Sequence, residues 1–294
     1  VSIGVFPDWI KKSLTRKKEA EHLKYIFRSK KIHTVCEEAK CPNIGECFSK
    51  KTATFLIMGN ICTRDCGFCA IEKGIPEPLD KSEPNRIAKQ VKEIGLKYAV
   101  LTSPSRDDII DGGAGFFART VEQIKRLNTD TRVEVLIPDF RGNVDSLEEV
   151  IDSGIDVLNH NIETVQRLYP KVRPKAGYEL SLDIIKEASR LKPNLPLKSG
   201  FMLGLGEKKK EVVKLLKDLK SVGCNIITIG QYLRPTLKQL PVDRYVHPDE
   251  FKKTEEMAYE IGFDYVASGP LVRSSHRAEE LFSGISIDRL RSKK

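Results

Sequence analysis

From residue 52 onward the chain alternates strand-like and helix-like segments six times, and strict alternation of this kind admits few architectures. The strand patterns are 52–59 (TATFLIMG), 98–103 (YAVLTS), 132–139 (RVEVLIPD), 156–163 (DVLNHNIE), 196–204 (PLKSGFMLG) and 225–233 (NIITIGQYL). Each is rich in β-branched or aromatic residues, which suit a pleated, buried surface. Amphipathic helix patterns fall at 83–94, 114–128, 144–153, 179–191, 208–222 and 248–261. In VDSLEEVIDS (144–153), Val144, Leu147, Val150 and Ile151 recur at helical spacing, and Gly154 follows as a C-terminal stop.

Strands and helices in alternation imply a parallel sheet with helices outside it. An open doubly wound sheet is the competing arrangement. No GxGxxG follows the first strand, and the strand-to-helix junctions carry polar or glycine-rich sequence. The expected fold is therefore α/β, a partial (βα)6-type TIM barrel, with function at the C-terminal ends of its strands. Residues 52–263 form that barrel. Residues 1–51 and 264–294 are N- and C-terminal extensions packed on it, the latter ending in a basic tail.

The chain has 294 residues and a formal net charge of +9. Its lysines are spread along helices, as in KKKEVVKLLKDLK (208–220), and gathered at the two ends. There is no RNA-binding aromatic motif and no phosphate-binding glycine loop, so nucleic acid is not the expected partner. An acidic protein is compatible with the charge. No run approaches the 18 apolar residues of a membrane span, and residues 1–18 lack a secretory pattern. A cytoplasmic, non-membrane protein is expected. No long apolar helix face is left over for a large interface, so a monomer is expected.

Six of the seven cysteines fall in a span of 34 residues, in two trios, which argues for metal over disulfides in such a chain. Cys62, Cys66 and Cys69 follow C-x3-C-x2-C just after the first strand, and Cys36, Cys41 and Cys47 follow C-x4-C-x5-C upstream. Cys224, in VGCNIITIG, reads as a core thiol. Structural zinc takes four protein ligands, commonly as two CxxC-type pairs, and neither trio has that form. A three-cysteine loop can cap three corners of an iron–sulfur cubane and leave the fourth iron open. A three-cysteine zinc or ferredoxin-like loop is the plainer alternative.

The first trio, with Phe68 before its last cysteine, resembles the radical S-adenosylmethionine superfamily. The resemblance implies that S-adenosylmethionine chelates the open iron of a 4Fe–4S cluster and is cleaved there to a 5′-deoxyadenosyl radical. The second trio is similar to that of one family within it, the lipoyl synthases. PDWIKK, EEAKCPNIGECF, NICTRDCGFC, RDDIIDGGA, NHNIETVQRLY, VRPKAGYELSL, KSGFMLGLGE, TIGQYLRPT, LPVDRYVHPDEF and SGPLVRSSHRA extend the resemblance along nearly the whole chain.

That family resemblance implies a sulfurtransferase: radical insertion of two sulfur atoms at C6 and C8 of a protein-bound octanoyl-lysine. The second trio would hold an auxiliary 4Fe–4S cluster that is consumed as sulfur donor. Its fourth ligand would be a serine oxygen of the RSS stretch, Ser275 in preference to Ser274, although the pair read alone is an ordinary helix N-cap. Implied partners are an octanoylated lipoyl domain or glycine-cleavage H protein, a ferredoxin or flavodoxin reductant, and an iron–sulfur carrier protein. Arg106 and Asp107 would meet the amino-acid part of S-adenosylmethionine, although Pro104 and Ser105 depart from the family pattern just before them. Asn159 and Glu163 are ribose or methionine contacts, or else strand-end hydrogen bonders. His160 reads as a satisfied buried imidazole. Gly204 and Gly206 would admit backbone to the adenine, or else serve as turn glycines. His276 stands where the family has tyrosine and is not expected to be a ligand.

Overall fold

The computed structural model describes residues 6–11, 18–41, 43–49 and 53–275. His276 and the basic tail lie outside them, as does Thr52, the first residue of the first expected strand. In chain order the strands are β1 (His33–Thr34), β2 (Thr54–Leu56), β3 (Ile61–Cys62), β4 (Glu72–Lys73), β5 (Tyr98–Thr102), β6 (Arg132–Leu136), β7 (Val157–Asn159), β8 (Leu197–Leu203), β9 (Ile226–Gln231) and β10 (Tyr265–Gly269). Eight of them form one sheet in the order β1-β2-β5-β6-β7-β8-β9-β10, and β3 pairs with β4 separately. From β2 to β10 every pairing in the large sheet is parallel.

The six expected helices are present within a residue or two of their expected ends, from Glu83–Ile94 to Pro248–Ile261. They form because each has one apolar face to bury. Helix Ala114–Leu127 buries Phe116, Phe117, Val121 and Ile124. Full burial of side chains of this size stabilises by about 1.5–3 kcal/mol each. Helix Val144–Asp152 buries Leu147, Val150 and Ile151, while Val144, its first residue, is left partly exposed. Gly154, at φ 92, takes the left-handed conformation that ends it. Strands such as β5 are buried along their whole length, as a parallel sheet under helices requires. Cys224 is fully buried with its thiol against the carbonyls of Leu197 and Ile226.

Three departures from the sequence reading matter for the site. The C-terminal extension contributes a seventh parallel strand, β10, paired along β9, and the N-terminal extension contributes β1, antiparallel to β2. β2 is shorter than its sequence pattern because Met58 (φ 66) and Gly59 (φ 85) turn the chain out of the sheet. β7 stops at Asn159, and the chain rejoins the sheet only at Glu163, bridged to Phe201.

A buried polar layer joins β5, β6, β7 and β8. Lys198 donates to both oxygens of Glu134 at 2.9 and 3.0 Å, Tyr98 Oη donates to Glu134 at 2.7 Å, and Asn159 Nδ2 donates to it at 2.9 Å. Lys198 and Glu134 are each 1% exposed, so each charge is tolerated only through the other. Among the described residues no helix is long and apolar enough to cross a membrane.

Candidate active site

The first cysteine trio is presented by a loop whose entry is pinned from two sides. Met58 N–H donates to Glu83 Oε2 at 2.8 Å, and Arg106 donates to Met58 O at 3.0 Å. β3 then pairs with β4, which ties the chain before Cys66 to the chain after Cys69.

Arg64 fastens the loop to the chain at the ends of the parallel strands. Its guanidinium donates to Asp139 at 2.6 and 2.7 Å and to Asp107 at 2.8 Å through both Nε and Nη2. Burial opposes ionisation of Asp139, but the Arg64 hydrogen bonds and charge overcome it and hold the carboxyl below its usual range. Asp107 is held low chiefly by its hydrogen bond from Arg64. Burial also works against the Arg64 charge, and its two carboxylate partners outweigh that and keep it protonated. Thr63 adds a second tie, its N–H and Oγ1 both reaching Ser105 O, at 3.1 and 2.9 Å.

Two backbone N–H groups point at Cys62 Sγ, from Arg64 at 3.4 Å and Ser105 at 3.3 Å. Hydrogen bonds to ligand sulfurs are one of the levers that set an iron–sulfur potential. Ser105 meets Thr63 and Cys62 through its backbone alone, so the unusual Pro104–Ser105 pair does not alter these contacts. Burial pushes the Cys66 thiol up and the Cys69 thiol up to about 12. Metal binding must displace those protons.

The second trio is set by short helices. Thr34 caps Val35–Glu38, accepting from Glu37 N–H at 3.3 Å, and Cys36 is buried on that turn. Cys41 N–H donates to Cys36 O at 3.0 Å, and Cys47 N–H to Asn43 O at 2.9 Å. Burial, then the neighbouring Cys41, pushes the Cys36 thiol upward. Asn43 Nδ2 donates to Leu271 O at 2.6 Å, joining this segment to the chain after β10.

All six cysteines line one cavity of about 580 Å³, together with Arg273, Ser274 and Ser275. Much of the remaining lining is apolar, including Leu56, Leu136, Met202 and Val272. Among the described residues no three Cys, His, Asp or Glu side chains converge on a single ion. A cubane does not ask for that, because each thiolate caps its own iron.

The break after β7 supplies the polar side of the cavity. Glu163 takes a left-handed conformation (φ 65), a strain that a non-glycine residue tolerates only when its surroundings enforce it. Here Glu163 N–H donates to Gly200 O and Met202 N–H to Glu163 O, both at 2.9 Å. Asn161 Nδ2 donates to Glu163 at 3.1 Å and to Ser274 Oγ at 3.3 Å. Arg173 donates to Asn161 O, and burial raises the Glu163 carboxyl. His160 Nδ1 faces Ile137 O at 3.0 Å, so that nitrogen carries the proton; burial lowers the ring to about 4 and keeps it neutral. His160 Nε2, Asn161 Oδ1 and Arg173 Nε are buried polar atoms without a protein partner, and all three residues line the cavity. Unpaired buried groups are costly. These three fit a polar ligand beside the first trio.

Of the other residues singled out in the sequence, Phe68 and Glu163 line the cavity, whereas Arg106, Asp107, Asn159, Gly204 and Gly206 stand outside its lining. Arg106 is committed to Asp108, Met58 O and Glu77 O, and Asp107 to Arg64 and Thr63. Asn159 sits in the buried polar layer. Gly204, at φ 97, packs against the Gln231 side chain and Arg244 carbonyl, where a Cβ has no room. Gly204 N–H and Leu205 N–H both donate to Glu207 at 2.9 Å, a turn arrangement. Sequence reading missed Arg64, Asp139 and Arg173. A charge between the two cysteines, a carboxylate at a strand's C-terminal end and a buried arginine in VRPKAG were the available signals.

Residues 56–219 match the family model described as the Radical SAM superfamily, more than half of the chain. Methylornithine synthase (PylB) shares the fold, with TM-score 0.55 at 14% identity over 96% of this chain and 90% of that one. Parallel sheet, C-x3-C-x2-C loop at a strand end and family match together define a radical S-adenosylmethionine protein. Two curated relatives are closer in sequence. The lipoyl synthase of Caldicellulosiruptor saccharolyticus is 52% identical, covering 93% of this chain and 96% of its own. That of Caldanaerobacter subterraneus subsp. tengcongensis is 49% identical, covering 96% and 98%. The chain belongs to the lipoyl synthase family.

Proposed function

We infer that this protein is a radical S-adenosylmethionine sulfurtransferase that converts a protein-bound octanoyl-lysine into a lipoyl group by inserting sulfur at C6 and C8. One observation carries the reading: two cysteine trios of different spacing line the same largely apolar cavity. The C–H bonds of an octanoyl chain are unactivated, so no general base removes those protons near neutral pH, and homolysis is required. The chemistry supplied at the two trios is reductive cleavage of S-adenosylmethionine to a 5′-deoxyadenosyl radical and donation of sulfide.

The chain's own residues do the rest. Cys62, Cys66 and Cys69 would hold the first 4Fe–4S cluster, with Arg64 fixing their loop against Asp139 and Asp107. Cys36, Cys41 and Cys47 would hold the auxiliary one, with Ser275 as oxygen ligand in preference to Ser274. Asn161, His160 and Arg173 present their unpaired polar atoms to the S-adenosylmethionine, and Glu163 stands beside them. Leu56, Leu136, Met202 and Val272 line the space for the alkyl chain and exclude water from a radical that would otherwise be quenched. An octanoylated lipoyl domain is the substrate carrier; a glycine-cleavage H protein is a second carrier of the same chemistry. We assign rebuilding of the auxiliary site to an iron–sulfur carrier protein and place the reaction in the cytoplasm.

The test is direct. Anaerobic, reduced enzyme is incubated with an octanoyl-lysine peptide and S-adenosylmethionine, after loading with labelled sulfide. The peptide should gain two sulfurs, both labelled. A product whose sulfur comes from elsewhere would remove the auxiliary trio from the role of donor.

A further inference from the structure

Each cleavage of S-adenosylmethionine consumes one electron, which must reach the loop of Cys62, Cys66 and Cys69 from outside the protein. The outer side of that loop centres on Gly67. Gly67 N–H donates to Val172 O and Leu240 N–H donates to Gly67 O, both at 2.9 Å. A Cβ at Gly67 would stand 3.0 Å from the Leu240 side chain and 3.2 Å from Lys171 O. Gln239 Nε2 donates to Cys69 O at 3.2 Å, and Lys73 Nζ to Cys66 O at 3.3 Å. Lys175 Nζ lies 3.9 Å from the Asp65 carboxylate. Four loops, 65–69, 71–75, 171–175 and 237–240, therefore meet around the backbone that carries two of the cysteines.

What these loops show to solvent is uneven. Lys73, Lys171, Lys175 and Lys238 are all exposed, against the carboxylates Asp65 and Glu72, and Asp65 is already opposed by Lys175. Ile75 is 93% exposed and Leu237 66%. Single exposed apolar residues need no explanation. Here two of them sit on loops flanking the cysteine loop, amid lysines. Exposed apolar side chains among an excess of one sign of charge, four lysines to two carboxylates, are the composition of a small, transient protein interface, which charge complementarity steers and orients.

We propose that this face docks the electron donor: a small one-electron carrier protein whose redox group is surrounded by carboxylates. The proposal rests on the assignment of Cys62, Cys66 and Cys69 to the first cluster. One electron leaves the reduced carrier and enters at the Cys66–Cys69 loop; no proton or atom is transferred, and the carrier departs oxidised. The interface is of the low-area class of redox encounters, under about 1,200 Å². The peptide segment between Cys66 and Cys69 is the covalent route inward, and it is touched by the side chains of Lys73, Gln239 and Leu240 and by the backbone of Lys171 and Val172.

The test uses loaded holoenzyme carrying Lys171→Glu, Lys175→Glu and Lys238→Glu together, and a second variant with Ile75→Ser and Leu237→Ser. Reduction by a reduced bacterial flavodoxin is followed by stopped flow at low and high salt. The charge variant should lose roughly tenfold or more in the second-order rate at low salt, with a flattened salt dependence. The apolar variant should lose rate at all salt concentrations. With dithionite as donor, both should cleave S-adenosylmethionine and modify an octanoyl-lysine peptide as the unaltered enzyme does. An unchanged flavodoxin rate overturns the proposal, as does an effect confined to the KM for an octanoylated lipoyl domain, which would make the face a substrate-carrier site. An equal loss with dithionite overturns it too, since the lysines would then serve the loop itself. If dithionite drives no cleavage in the unaltered enzyme, the first-cluster assignment falls and the docking face with it.

Discussion

Arg64 lays one side of its guanidinium on Asp139, with contacts of 2.6 and 2.7 Å, and so joins the cysteine loop to the chain just beyond β6. The pair is 6% and 1% exposed. Arg64→Leu strands a buried carboxylate and should cost about 3–5 kcal/mol. The loop should lose its seat as well, so anaerobically loaded protein should fall from about eight irons towards about four. Iron content and chemical denaturation measure the two effects. Arg64→Lys keeps the charge but cannot fork, and should be intermediate. A variant with full iron content would show that the pair is not what seats the loop.

The same pair gives the apoprotein an acid-sensitive component of stability. Asp107 and Asp139 both have folded-state pKa values below the ordinary 3.8. As pH falls the unfolded chain therefore takes up these protons first. The stabilisation is fully present above 3.8 and is lost as pH drops through the lower folded values. Denaturation midpoints should fall steeply below about pH 4 in the unaltered chain, and the Arg64→Leu variant should show a shallower slope there.

The two trios should separate by mutation. Cys69→Ala should abolish cleavage of S-adenosylmethionine while leaving about four irons at the other trio. Cys41→Ala should retain cleavage and make no lipoyl product. Lipoyl groups formed by Cys41→Ala would mean that the sulfur comes from another source.

Ser274 Oγ already accepts from Asn161 at 3.3 Å, which leaves Ser275 the less engaged hydroxyl of the two. Ser275→Ala should lower turnover by roughly tenfold or more, and Ser274→Ala by less. Sulfur insertion per enzyme in a single turnover measures both, and the opposite order would exchange the two assignments.

Gly200 lines the cavity where a Cβ would lie 2.5 Å from Thr228 Oγ1 and 3.0 Å from Asn161 Oδ1. Gly200→Ala should therefore displace Asn161. It should cost about 1–3 kcal/mol of stability and raise the KM for S-adenosylmethionine, with little effect on iron content.

The alternation of periods two and 3.6 made the helices and six strands legible, because burial on a sheet face or a helix face is what those periods encode. The break at His160–Ile162 was not legible. Residues 156–163 read as one continuous strand in sequence, and only the end of β7 at Asn159 and the pairing of Glu163 with Phe201 show that the chain leaves the sheet and returns. β10 was hidden for a related reason: it is only partly buried, so its apolar signal is faint. Cysteine spacing announced the trios, since ligands on one loop are close in sequence. Arg64 finds its partners 43 and 75 residues away, which no local pattern can reveal. Arg106 looked like a ligand contact beside the cysteines and is instead occupied with the turn at Met58.

The hydrogen bond from Asn43 to the Leu271 carbonyl has a consequence for repair. It stitches together the segments before and after the strand–helix alternation, and both border Cys36, Cys41 and Cys47, the trio proposed to hold the sulfur donor. That bond is not a rung of the parallel ladder, so if the trio is rebuilt after turnover as proposed, breaking and remaking it would leave the strand pairings of the large sheet untouched.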